Sequence, residues 1–331
     1  MRRSRLPRPR PVRRVRPGER GAALLTVLLL VAVIAVIAAT ALERLRLATR
    51  LGANAIGIEQ ARGFAQAAEV LAVSRVSTLL AQNTGRVSLA GGWSNAPVPL
   101  PLPGGTAVAR VTDGGNCFNL NALVTPVAPG IYQSNPATRV QFARLMRLIG
   151  VPAQVADQVA AGAADWIDTD ADQQAGGAED GAYQGQDPGY RTAGTLMADP
   201  SELRAVAGVT PDLYAQLRPW ICTLPLPVPA TINVNTLTPE QAPLVAMLGD
   251  GIAVDAVRGA LLQRPPAGWG SAGAFWTLAG GGAGAAGAGV VSTWFTLRVD
   301  VVVAGIDLHE NALIDATALP ARLVSRQWGE E

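Results

Sequence analysis

One uncharged run limits what this chain can be. Ala22 to Leu42 is 21 residues without a charge, and only Thr26 and Thr40 among them are polar. As a helix the run is long enough to cross a bilayer, which takes roughly 20 residues. Nine arginines stand before it: Arg2, Arg3, Arg5, Arg8, Arg10, Arg13, Arg14, Arg16 and Arg20. A leader so basic stays on the cytoplasmic side, so everything after Leu42 is expected to be translocated.

Two processing routes are open. An ordinary secretory signal is cut after the apolar region, and Ala38–Ala41 offers the small residues for it. The other cut lies before the apolar region, between Gly21 and Ala22. A basic leader ending in Gly, followed by a long hydrophobic helix, resembles the class III signal of type IV pilins and pseudopilins. In those proteins a prepilin peptidase cleaves after the Gly and methylates the new amino terminus.

Charge separates the leader from the rest. The chain has no lysine, and nine of its 27 basic residues but only one of its 25 acidic ones, Glu19, fall in the first 21 positions. The remainder is acidic by six. That argues against sequence-independent nucleic-acid binding, which needs a basic surface to displace counterions. The two cysteines, Cys117 and Cys222, both follow the apolar run. An oxidising compartment permits a disulfide between them, worth roughly 4–5 kcal/mol for a loop of about 100 residues in the chain-entropy model. Two separate buried thiols are the alternative. A zinc site is disfavoured, because His309 is the only histidine.

Beyond Leu42 the helical pattern continues. Leu47, Leu51, Ile58, Ala61, Ala65, Ala68 and Leu71 recur at threes, fours and sevens, predicting helix to about Leu80. Pro97, Pro99, Pro101 and Pro103 predict an extended polyproline-like stretch, and Thr106–Thr112 alternates like a strand. Helical segments are expected over Thr138–Ile149, Pro152–Ile167, Ser201–Val206, Asp212–Leu217 and within Thr238–Leu278. An acidic, Gly-rich loop separates them from Asp168 to Gln186. Ala279–Gly289 is low in complexity and reads as a flexible loop. Ser292–Ala304 and Leu308–Ala316 read as two closing strands. The order is long helix, strands, helical block, strands. The fold class is therefore α+β: a long N-terminal helix on an antiparallel sheet, with a large α-helical domain inserted between strands.

The acidic loop is the strongest candidate for chemistry. Asp168, Asp170 and Asp172 alternate, Glu179 is twelfth counting from Asp168, and Asp180 follows. The spacing matches the carboxylates of an EF-hand calcium loop, except that Gln173 stands where that loop needs Gly. So many carboxylates repel one another unless a hard cation neutralises them. Ile232–Leu278 resembles a helix-hairpin-helix unit with its turn at Leu248–Ile252. That turn carries Asp250 and no basic cluster, so a structural role outweighs phosphate binding. FNLN (Phe118–Asn121) and INVN (Ile232–Asn235) read as structural corners, since Asn bonds nearby backbone. His309 reads as a surface or turn residue. There is no GxSxG, and without lysine no Walker A motif, so no enzyme is expected.

Several stretches in order resemble the K-type minor pseudopilins of the type II secretion system. They are RGAALLTVLLLVAVIAVIA (from Arg20), EQARGFAQAAEVLA (from Glu59), FNLNAL, ADWIDTDAD…GAEDGAY, YRTAGTLMADPSELRAVAGV, PWICTLP and INVNT. The resemblance implies a pilin fold interrupted by a helical domain. The segments would be a leader over 1–21, a membrane helix over 22–42 and its periplasmic continuation over 43–85. Sheet follows over 86–125, then two inserted helical units over 126–230 and 231–289, and last strands over 290–331. It implies a single-pass inner-membrane protein with a periplasmic body at the tip of a pseudopilus. The implied partners are the I-type and J-type minor pseudopilins, the major pseudopilin fibre and the prepilin peptidase, with no nucleic acid. It also implies Ca2+ held by Asp168, Asp170, Asp172, Glu179 and Asp180. The competing reading is a membrane-anchored DNA-uptake or DNA-binding protein using the hairpin-like unit.

Overall fold

The computed structural model describes residues 17–185, 187–280 and 286–329. The leader through Arg16, Gln186, the middle of the Gly/Ala-rich run and the last two residues lie outside them. Helix α1 spans Pro17–Gln82, ending two residues beyond the expected Leu80. The chain divides after Gln60 into two compact units. In the first unit, residues 21–56 are exposed throughout, and α1 there holds the one apolar window long enough to cross a membrane among the described residues.

The second unit starts at Ala61. Here α1 turns Ala61, Ala65, Ala68, Ala72, Val76 and Leu80 inward, all buried. The spacing of three and four puts them on one face. Strands β1 (Val98–Leu102) and β2 (Gly105–Asp113) follow. The stretch with Pro97, Pro99, Pro101 and Pro103 is therefore not free polyproline: β1 pairs antiparallel with β2, Val98 opposite Ala109. Alternate residues of a strand point their N–H groups to the same side. The missing donors of Pro99 and Pro101, both within β1, thus fall together on the free edge, where a sheet tolerates them.

The helical block begins after Asp113. Its first unit contains β3 (Phe118–Asn119), the hairpin β4 (Val124–Ala128) and β5 (Ile131–Ser134), then α2 (Pro136–Leu148) and α3 (Ala153–Ile167). Short helices α4 (Asp180–Gln184) and α5 (Pro211–Leu217) come next, and β6 (Ile221–Cys222) closes it. The predicted helix at Ser201–Val206 is a 3-10 turn over Pro200–Ala205, started by an Asp199–Glu202 capping box. The second unit runs β7 (Ile232–Asn233), α6 (Ala242–Ala246), α7 (Val254–Leu262), α8 (Ala272–Ala279) and β8 (Ala288–Gly289). The end of the expected flexible loop is thus a strand. Finally come β9 (Trp294–Val303), β10 (Ile306–Asp315) and β11 (Arg322–Trp328). The pattern of two closing strands missed β11.

The main sheet is antiparallel with the order β1-β2-β9-β10-β11. β2 and β9 are neighbours, with Gly105 opposite Val303 and Asp113 opposite Phe295. The helical block therefore leaves and rejoins the sheet between adjacent strands. At the junction, Thr236 and Ser292 both donate hydroxyl hydrogen bonds to Asp113 Oδ2, and Gly115 N–H donates to Oδ1. Asn233 Nδ2 donates to Ser292 Oγ at 2.8 Å and to the Val87 carbonyl at 3.0 Å.

The two helical units repeat one device. In each, a short strand pairs parallel with a closing strand, β3 with β6 and β7 with β8. Asn119 Oδ1 accepts from Asn121 N–H, and Asn233 Oδ1 from Asn235 N–H. The second asparagine then grips a distant residue by both backbone groups. Asn121 holds Met197 at 2.8 and 2.9 Å; Asn235 holds Trp269 at 2.6 and 3.0 Å. All four asparagines are buried. They are not merely local corners, as the sequence suggested, but ties across the domain. Gly268 sits at φ +78°, and a Cβ there would lie 2.8 Å from Asn235 Cγ, so the Trp269 grip needs glycine beside it. A Cys117–Cys222 disulfide, Cα–Cα 5.8 Å, fastens β3 to β6. Both units share one hydrophobic core that includes Phe118, Phe142, Leu217, Leu244 and Phe275.

On the sheet side, Arg326 of β11 grips the buried Glu69 of α1 through both carboxylate oxygens. Glu310 of β10 is fully buried beside them, 3.6 Å from Arg326 Nε. One guanidinium cannot neutralise two enclosed carboxylates. Burial, and then the neighbouring Glu69 carboxylate, raise the Glu310 pKa from 4.5 to about 8. Its folded pKa lies above the unfolded one, so its contribution is full below about 4.5 and is lost as pH rises through about 8. Replacing Glu310 with Gln removes that loss. The melting midpoint at pH 8 should rise, by roughly 2–4 °C for each kcal/mol recovered, with little change at pH 4.5. Circular-dichroism melts of the full chain in detergent across that range measure it, and an equal effect at both ends would contradict the assignment.

Candidate metal centre

Helix α3 delivers the acidic loop. It ends at Asp168, whose extended backbone caps the helix by donating N–H to the Ala164 carbonyl. Asp168 is 1 % exposed, and neither carboxylate oxygen has a hydrogen-bond partner. Asp170 and Glu179 each bring an oxygen to it, and the three donor atoms lie within 4.8 Å of one another. Glu179 Oε1 is likewise buried without a partner.

The other two predicted acids lie elsewhere. Asp172 is exposed, and its backbone N–H donates to Asp170 Oδ1 at 3.0 Å. Asp180 opens α4 and accepts from the Thr192 N–H and hydroxyl, both at 3.0 Å. The sequence spacing flagged five acids; the backbone brings three together.

One acid escaped sequence reading. Asp165 is fully buried on α3, one turn before Asp168. Both its oxygens accept the Gln174 N–H at 3.2 Å, which laces the loop back onto the helix. A Cβ at position 177 would lie 2.0 Å from Asp165 Oδ2, so only glycine fits at Gly177. The i, i+3 spacing of Asp165 and Asp168 was its available signal. The rings of Trp166, Tyr183 and Tyr190 form an aromatic cluster on the same helix end, with centroids 5.1–6.1 Å apart. Thr169 ties the loop to the β4–β5 hairpin through Tyr132, with two hydrogen bonds of 3.1 Å.

Electrostatics act on Asp168 and Glu179 of that trio and on Asp165 behind them. Burial, then the negative charges of Asp170 and Asp165, push Asp168 up to about 7. Burial and Asp165 push Glu179 up to about 7. Burial pushes Asp165 up to about 6 against its backbone hydrogen bonds. Orphaned buried oxygens amid repelling carboxylates fit a hard divalent cation, which takes oxygen ligands only. Ca2+ suits the set, completed by carbonyls or water. Zinc, which favours Cys and His, does not.

The remaining candidates are quickly placed. Gly21 and Ala22 are exposed positions within α1. Thr26 Oγ1 donates to the Ala23 carbonyl at 2.9 Å. The hairpin-like turn is used internally: Arg144 of α2 donates to the Met247 carbonyl at 2.8 Å and pairs with Asp250. His309 lies in β10, not in a turn, and its Nδ1 is 2.8 Å from Asp300 Oδ1.

Two family models match, both described as type II secretion system protein K, over residues 116–226 and 232–298. The type II secretion system protein K of Pectobacterium carotovorum is 32% identical over 322 residues, covering 95% of this chain and 98% of that protein. That of Aeromonas hydrophila is 37% identical, covering 75% and 77%. The fold is also similar to a chain in the crystal structure of the GspK-GspI-GspJ complex of enterotoxigenic Escherichia coli. There the TM-score is 0.71 at 32% identity, covering 82% of this chain and 97% of that one.

Calcium at a hundredfold excess over its Kd should stabilise the full chain by about 2.7 kcal/mol, raising its melting midpoint. Asp168→Asn should raise the midpoint without calcium, because it relieves repulsion, and should abolish the calcium shift. Terbium in place of calcium should luminesce on excitation near Trp166 in the parent and not in the variant. A calcium shift that survives Asp168→Asn would move the site elsewhere.

Proposed function

The chain belongs to the type II secretion system protein K family, and from that premise we propose that it is the minor pseudopilin at the tip of the pseudopilus. In this reading it initiates or caps the short fibre that drives folded exoproteins across the outer membrane, and it performs no catalysis. A prepilin peptidase removes residues 1–21 after Gly21 and methylates Ala22. The apolar part of α1 anchors the chain in the inner membrane, with the remainder in the periplasm. Its partners are the I-type and J-type minor pseudopilins, and below them the major pseudopilin fibre. Calcium at Asp168, Asp170 and Glu179 stiffens the helical domain.

The observation that carries the tip position is Thr26. Most pilins have Glu at the fifth mature position, where it pairs with the amino terminus of an adjacent subunit. Counted from Ala22, that position here is Thr26. Its hydroxyl is satisfied by the Ala23 carbonyl of its own helix, so it needs no neighbour. A carboxylate there without a partner would be costly in a bilayer. A subunit with none above it has no such amino terminus to neutralise. The helical domain grafted between β2 and β9 adds bulk that other subunits could not stack over.

Mass spectrometry of the protein from its native membrane should find an N-methylated Ala22 as the first residue. An intact Met1, or a cut near Ala41, would remove the pseudopilin processing on which the reading stands. Thr26→Glu should leave secretion of exoproteins unimproved and fibre length unchanged, and a gain in assembly would contradict the tip position.

A further inference from the structure

The β4–β5 hairpin projects from the helical body. Residues 125–131 are exposed throughout, and Val124–Ser134 carries no charge. Val127 is 53 % exposed and Ile131 49 %. Of the hairpin's apolar side chains, Val124 at the base and Tyr132 of β5 reach the hydrophobic core. Two paired strands are marginal in water by themselves, so the order of this hairpin depends on what holds it from the side.

The acidic loop holds it, at two points. Thr169 stands between Asp168 and Asp170. Its hydroxyl accepts from Tyr132 N–H and returns its own hydrogen to the Tyr132 carbonyl, which also takes the Thr169 N–H, each at 3.1 Å. Further along the loop, Gln174 Oε1 accepts from Arg139 Nη1, which also donates to Ser134 Oγ at 3.4 Å. Thr169 is itself exposed and lies beyond the cap of α3, so the helix does not fix it.

We propose that the Thr169–Tyr132 joint couples the metal centre to the hairpin, so that a cation gathering Asp168 and Asp170 also orders β4 and β5. The inference rests on the calcium reading of the centre and adds the element that the cation controls. The residue that bonds the hairpin is flanked on both sides by candidate ligands, which leaves no slack between site and joint. Without a cation the carboxylates repel one another, and the backbone between them loosens. With one, the loop ordered for the cation is the same loop that bonds Tyr132, so each event lowers the ordering cost of the other. The coupling is reciprocal: the hairpin, seated by Tyr132, positions Asp168 and Asp170. The apolar tip at Val127 and Ile131 is thereby held or released by local opening, without unfolding the domain.

Hydrogen–deuterium exchange of the full chain in detergent, with saturating calcium or with a chelator, tests this. Labelling for seconds to minutes reads local opening. Calcium should slow exchange over residues 124–134 about tenfold, within the usual range of coupling, and leave the β9–β10 turn at Ala304–Gly305 unchanged. Thr169→Val keeps the shape and removes the hydroxyl with both its bonds to Tyr132. Its hairpin should exchange at the chelator rate whether or not calcium is present. Terbium should still luminesce at its centre, with affinity weakened by no more than the factor by which calcium protects the parent hairpin. Thr169→Ser restores the hydroxyl and should restore the calcium dependence. Thr169→Ala serves in place of the valine variant if that one does not fold. Calcium binding that leaves hairpin exchange unchanged, or a calcium dependence that survives loss of the hydroxyl, overturns the joint and leaves the metal centre standing. A parent chain with neither terbium luminescence nor a calcium shift overturns both.

Discussion

The whole architecture hangs on how a sheet is opened to admit a domain and closed again. β2 ends at Asp113 and β9 starts at Trp294, and the main chain between them makes an entire helical body. Asp113 is the knot. It accepts from Ser292, two residues before the returning strand, and from Thr236 inside the helical body, so one carboxylate binds departure, return and cargo. Burial raises its pKa, and its hydroxyl and amide donors oppose that rise. Asn116 and Asn233 complete the knot, with Asn233 N–H donating to Asn116 Oδ1 at 2.8 Å. A buried network of this kind is favourable only when every member is satisfied, and that demand fixes one way of seating the domain on the sheet.

Two acidic clusters show how differently a fold can meet the same repulsion. Glu69 and Glu310 are enclosed with Arg326; the guanidinium serves the first, and a proton serves the second. Trp328 lies beneath Arg326 and Arg62, 5.7 and 5.8 Å from them, so even the cation is held in place. In the loop after α3, no arginine pairs with Asp168 or Glu179 among the described residues. Of the basic side chains nearby, Arg139 is engaged with Gln174 and Arg191 lies 3.8 Å from Asp180. The first cluster closes its account internally, and the second leaves charge for something from outside to meet.

Much of this was legible in the residues. The period of α1, the strand alternation on either side of the helical block, and the resulting insertion follow from where apolar side chains recur. β1 was hidden because prolines read as polyproline unless the sheet edge that excuses them is known. β11 was hidden because its residues, Arg322–Trp328, are mostly exposed and carry no apolar alternation. The asparagine pairs were visible as a repeat, but their distant partners were not, since hydrogen bonds spanning 76 and 34 positions leave no local trace. In the acidic loop, spacing identified the carboxylates. Only the backbone decided that Asp172 faces solvent while Asp165, disguised among alanines as core helix, ties the loop down.

Those two spans carry a consequence of their own. The same asparagine grip closes around 76 residues in one unit and 34 in the other. The device is therefore indifferent to contour length: it fixes the ends of a segment and leaves the interior unspecified. A lineage could lengthen, shorten or replace what lies between the anchors without retuning the core. The acidic loop is such a passenger, occupying the slack of the longer copy, while the shorter copy records how little chain the module itself requires.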